Sequence, residues 1–176
     1  MATLEHYIID LKALGEEPAH YEYLLDNDFF ALLETTEVQK GALKVTVDVR
    51  KQAASFELTF QIEGEVVVLC DRCLDEMTQP ITSTDKLTVK FGEDYSDEGD
   101  DVVIVPEDEG IINVAWFIYE FIALAIPIRH VHAAGECNPE MERKLQEHLT
   151  ANEAGETAGK PADPRWEGLK NILDNN

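Results

Sequence analysis

The alternation of side chains between residues 43 and 63 leaves this chain little choice of fold. Leu43, Val45, Val47 and Val49 alternate with Lys44, Thr46, Asp48 and Arg50, the two-residue period of a strand with one face buried and one in water. After KQAA the same period returns as Phe56, Leu58, Phe60 and Ile62 against Glu57, Thr59, Gln61 and Glu63, and it continues past Gly64 into EVVVLC. A helix with this pattern would scatter its apolar residues around every side, so a long antiparallel pair is expected. Leu87, Val89 and Phe91 against Lys86, Thr88 and Lys90 add a third strand.

The flanks read less regularly. YIIDL and HYEYLL suggest two short strands, and Asp26 or Asn27 can cap a short helix that turns Phe29, Phe30, Leu32 and Leu33 inward. Residues 92–109 hold nine carboxylates and no Lys or Arg, interrupted by a short VVIV strand. Asn113 can cap a helix over residues 114–125 that Pro127 ends. Glu120 stands out in that apolar helix: either it surfaces along one edge, or it is a buried carboxylate paired with Arg129 or Arg72. The whole stretch is shorter than the ~20 residues of a membrane span and reads as a buried helix. Pro139 then fits the first position of a helix striped by Met141, Leu145 and Leu149.

These elements give an α+β fold: a curved antiparallel sheet or partial barrel over residues 5–91, packed by the central apolar helix, with a C-terminal helix and a flexible tail. Residues 1–149 are expected to form a single domain. Residues 150–162, small and polar, read as a flexible linker. In 163–176, Asp163 can cap, Pro164 starts a helix, and Trp166, Leu169 and Leu173 recur at spacings of three and four. That amphipathic segment is an anchor either for the chain's own surface or for a partner's groove.

Charge narrows the function. Against 36 acidic side chains stand 14 basic ones, a formal net charge of -22. Affinity for nucleic acid comes from Lys and Arg displacing counterions, so broad RNA or DNA binding is disfavoured and a basic protein partner is favoured. The carboxylates of 92–109 are either a solvated loop or an electrostatic lure for a cationic surface. The N-terminal residues lack the features of a secretory signal, and an odd count of three cysteines argues against a disulfide framework; both point to a cytoplasmic location.

The cysteines carry the main chemical question. Cys70 and Cys73 form a CxxC between two strands, and His130, His132 and Cys137 follow in RHVHAAGEC. Three cysteines and one of the two histidines would make a Cys3His sphere for one structural zinc, closed to water and so bracing rather than catalytic. The other reading is a plain structural turn with no cofactor. A redox CxxC would open a helix, whose dipole lowers a thiol pKa, whereas strand-like sequence continues here on both sides. No phosphate loop, dinucleotide fingerprint or nucleophile elbow occurs, and no enzymatic activity is expected.

The alternating strands leading to CDRCLDEM, then INVAWFIYEFIALAIPIRHVH, ECNPEM and the closing DPRWEGLKNIL, in this order, resemble the bacterial YceD-like family. The resemblance implies a part in ribosome biogenesis, since the family is named for accumulation of large-subunit ribosomal RNA and its plant organelle relatives are linked to processing of that RNA. Cys70, Arg72 and Cys73 match its C-x-R-C, Glu120 matches the acidic position in its helix, and Pro164, Arg165 and Trp166 match its terminal motif. Many members carry a cysteine pair after the helix, where this chain has His130, His132 and Cys137.

The expected function is therefore that of a non-enzymatic, acidic ribosome-biogenesis factor. It would support large-subunit ribosomal RNA accumulation by binding a basic ribosomal protein or an immature large subunit, with Pro164, Arg165, Trp166 and Leu169 as its anchor. The rivals are a metal-dependent factor in RNA processing and direct RNA binding through Arg50, Lys51, Arg72 and Arg129.

Overall fold

A computed structural model describes residues 3–35, 37–99 and 101–156. The chain divides between His132 and Ala133 into two units, inside the stretch expected as one domain. In the first unit a six-stranded sheet has the order β2-β3-β4-β5-β7-β6. Its members are β2 (Ala19–Leu25), β3 (Lys40–Lys51), β4 (Phe56–Leu69), β5 (Glu76–Gly92), β6 (Ser96–Asp97) and β7 (Val102–Pro106). A second sheet pairs β1 (Ile8–Asp10) with β8 (Ile111–Asn113), and the helices are α1 (Asn27–Leu32) and α2 (Ala115–Ala125).

The alternation behaves as the sequence requires. Val45, Val47, Val49, Leu58, Phe60 and Ile62 are all buried, while Lys44, Glu57 and Lys86 on the other face form cross-strand ion pairs, Lys44 with Glu22 at 2.9 Å and Lys86 with Glu57 at 3.5 Å. Each buried aliphatic or aromatic side chain contributes about 1.5–3 kcal/mol relative to leaving it in water. Phe60 on the buried face meets Phe121 of α2 with ring centroids 5.0 Å apart.

From β2 to β5 the strands are antiparallel, as expected. Two points need correction: β1 lies outside this sheet, paired with β8, and the sheet is mixed, since β7 runs parallel to β5, in register from Thr88 and Val102 to Gly92 and Pro106. The acidic stretch after Gly92 lays down β6 as an outer strand, antiparallel to β7, so the chain reverses once into β6 and again into β7 before VVIV meets β5. Carboxylates along such an edge discourage pairing with another sheet.

Local chemistry sets the remaining elements. The Asp26 side chain accepts the Asp28 N–H and caps α1, with Phe29 and Phe30 buried. Asn113 Oδ1 accepts the Ala115 N–H at 3.0 Å, and α2 stops before Pro127. Gly64, at φ 148°, lies where a Cβ would run into the Ala42 carbonyl oxygen and within 2.6 Å of the Leu43 Cα, so β3 and β4 approach here only because the side chain is absent.

In the second unit the Asn138 side chain accepts the Glu140 N–H at 3.0 Å and opens α3 (Pro139–Glu156) with proline in its first turn. The helix continues into the stretch expected as linker, as the helix formers Ala151, Glu153 and Ala154 allow. The rest of that stretch, and the anchor with Pro164, Arg165, Trp166 and Leu169, lie outside the described residues.

Candidate metal centre

Strands β4 and β5 are joined by a turn built around the CxxC. The Cys70 N–H donates to the Asp75 carbonyl and the Leu74 N–H to the Cys70 carbonyl, both at 2.9 Å. Leu74 takes the left-handed φ of 63° that so tight a reversal demands. Cys70 and Cys73 are buried as a result, and the Arg72 N–H points at Cys70 Sγ from 3.4 Å.

The segment after α2 comes to meet this turn. The Asp71 N–H donates to the His130 carbonyl at 3.0 Å, and the His130 N–H donates to Asp71 Oδ2 at 2.9 Å. Two residues later, His132 Nδ1 lies 3.3 Å from Cys73 Sγ. The sulfurs of Cys70 and Cys73 and a ring nitrogen of His132 all lie within 4.8 Å of one another. Tetrahedral zinc, with Zn–S near 2.3 Å and Zn–N near 2.0–2.1 Å, would set neighbouring ligand atoms roughly 3.5–3.8 Å apart, so these three donors fit such an ion in type and in spacing.

Electrostatics act on the same donors in opposite senses. Burial pushes the Cys70 thiol up, but backbone N–H groups of His132, Cys73 and Arg72, together with the Cys73 side chain, outweigh it and bring the pKa down to about 6. His132 is raised chiefly by its bond to Cys70, with burial opposing and Cys73 adding to the rise. The Cys70 thiolate held by amide donors is the state a metal ligand must reach, whereas the rise at His132 favours the imidazolium, whose ring proton a metal would displace.

The two histidines are thereby distinguished. His132 faces the sulfurs, whereas His130 turns its Nδ1 to the Pro127 carbonyl at 3.0 Å and its Nε2 toward Asp71 at 3.6 Å. Cys137 belongs to the second unit, between a turn in which the Glu136 N–H donates to the Ala133 carbonyl and the Asn138 cap of α3. The CxxC leads into β5 and not into a helix, so the redox arrangement of a CxxC at a helix N-terminus is absent here.

Arg72 and Arg129 are both exposed near this turn. Arg50 and Lys51 end β3, opposite Glu57 and Phe56 at the start of β4, roughly 40 Å along that strand from the turn at its usual rise, so the four cations do not form one patch. Glu120 is exposed on α2 and, among the described residues, in no ion pair with Arg129 or Arg72. Burial raises its carboxyl pKa and the nearby Asp97 adds to the rise. Sequence reasoning passed over Asp71, the residue that ties the two segments together. Glu120 surfaces along one edge, the first of its two readings, but Trp116 and Leu124, exposed on the same stripe, were passed over, although the spacing of four was the available signal.

Fold and site together define a small α+β protein in which Cys70 and Cys73 of the β4–β5 turn meet His132 in a cluster that could hold a metal ion. The sequence profile of the large ribosomal RNA subunit accumulation protein YceD matches residues 58–173, and the chain belongs to that family. No curated protein and no solved structure gives a significant match. Among the described residues, no helix is long and apolar enough to cross a membrane.

Proposed function

We propose that the protein is a non-enzymatic factor of large-subunit biogenesis that acts in the cytoplasm by binding a basic ribosomal protein, free or on an immature large subunit. The observation that carries this reading is the charge of -22 in a member of an RNA-accumulation family. A chain so acidic is repelled by RNA phosphates, and three of its lysines, Lys40, Lys44 and Lys86, are engaged by carboxylates on the sheet. Complementary charge would instead speed encounter with a cationic protein. By shielding that protein until it is placed, the factor would keep the nascent subunit on its path, and ribosomal RNA would accumulate without being touched directly.

The Cys and His cluster fits this role as a brace. Cys137, five residues along the chain from His132, is proposed as the fourth ligand, giving a closed Cys3His sphere around one zinc. When bound, the ion would hold the β4–β5 turn to the segment after α2 and would leave no position for a catalytic water. The tail segment with Pro164, Arg165, Trp166 and Leu169 is proposed as a partner anchor. A second reading, a local RNA contact, draws on Arg72 and Arg129 standing exposed beside the braced turn.

Capture from native extract tests the main reading. Basic large-subunit proteins should co-purify with the full chain after ribonuclease treatment and diminish when the chain is cut before Asp163. Recovery of RNA-dependent partners alone would favour Arg72 and Arg129.

A further inference from the structure

Helix α2 leaves one face open beside the edge of the sheet. Trp116 is 51% exposed and Leu124 79% exposed, two helical steps of four apart with Glu120 midway. Trp116 and Phe117 line a groove of about 530 Å3 together with Tyr95, which is 60% exposed. A volume of this size suits a peptide side chain and its neighbours, and a grouped apolar surface rimmed by polar residues marks an interaction site.

The rim is of one sign. Asp97, Glu109 and Glu120 line the groove, and none of its lining residues is Lys, Arg or His. Tyr95 and Glu120 are both raised, first by burial and then by Asp97, and Tyr95 also by Glu120; the anionic groups therefore feel one another's field.

We infer that this groove is the docking site for an arginine- or lysine-bearing segment of a basic protein. A guanidinium or ammonium can lie over the faces of Trp116 and Tyr95 by cation–π attraction while its N–H groups donate to Asp97 and Glu120. A nucleic acid would bring phosphates against three carboxylates, and a neutral apolar peptide would cover those carboxylates without pairing them. The inference rests on the basic-partner reading above and adds the place: a groove of the first unit, distinct from the tail.

The test reads affinity on the unaltered full chain and, in parallel, emission on the same chain carrying W166F, which leaves Trp116 as its one tryptophan. A fluorescently tagged ten-residue peptide of alternating Gly and Arg is titrated near physiological salt. Binding is read from peptide anisotropy and the site from Trp116 emission. The groove pair D97N/E120Q is compared with E63Q/E65Q on β4, which removes the same charge away from the groove. The expected result is a change in Trp116 emission, with affinity about tenfold weaker in the groove pair and within about twofold of the parent in the other. Equal weakening in both pairs, or binding without any change in Trp116 emission, would overturn the groove while leaving an acidic factor for basic partners in place. No binding of the peptide to the unaltered full chain would overturn both.

Discussion

Asp71 and His130, 59 residues apart in sequence, hold each other through two hydrogen bonds, the Asp71 N–H to the His130 carbonyl at 3.0 Å and the His130 N–H to Asp71 Oδ2 at 2.9 Å. The pair fixes the β4–β5 turn against the segment after α2, and His132 reaches Cys73 only because that segment is held there.

Removing the Asp71 carboxylate should therefore loosen the cluster without touching a sulfur. Asp71→Ala leaves the His130 N–H without its acceptor, and a loss of about 1 kcal/mol is expected in urea unfolding. Asp71→Asn keeps an acceptor oxygen and should lose less than half as much. Equal losses would mean that the bond to His130 contributes nothing beyond the charge.

Protein purified without added zinc or chelator should carry about one zinc per chain by elemental analysis. Cys73→Ser and His132→Ala should each lower that content sharply, whereas His130→Ala should keep it and lose only stability. A chain without metal, or one whose metal survives Cys73→Ser, would remove zinc from the account.

Gly64 tests the sheet. In Gly64→Ala the new methyl meets the Ala42 carbonyl and a φ of 148°, so β3 and β4 must separate locally. A loss of about 2–4 kcal/mol is expected, within the range of strained backbone and overpacking, with a lower urea midpoint as the readout.

Glu120 should show itself in pH dependence. Its folded pKa is raised, by burial and then by Asp97, so the ionised form is the disfavoured one. The penalty is absent below the unfolded value near 4.3 and sets in as pH rises through the folded value. Glu120→Gln should accordingly stabilise the protein at pH 7 by only about 0.3 kcal/mol, because solvent screens an exposed group, and should make no difference at pH 3.5. Urea midpoints at the two pH values decide it.

What the sequence revealed follows from the range of the forces involved. The alternation of Leu43 to Ile62 is set by water on one side and apolar contact on the other, so β3 and β4 were legible in full. The turn at Cys70 was legible because its flanks alternate. The direction of β7 was not, because two residues of β6, Ser96 and Asp97, reverse the chain first and carry no strand pattern. Nor was the choice between His130 and His132: two residues apart, they share a face of an extended chain, and only the Pro127 carbonyl and Asp71 turn one of them away. The groove at Trp116 was hidden by the apolar length of α2, where an exposed tryptophan looks like one more core residue.

The most direct measurement sets purified large-subunit ribosomal proteins, freed of RNA, beside protein-free large-subunit ribosomal RNA as ligands for the full chain over a range of salt. The account requires binding to one or more of the basic proteins, weakening as salt rises, and none to the bare RNA near physiological salt. Binding to the RNA with no affinity for any of the proteins would contradict it.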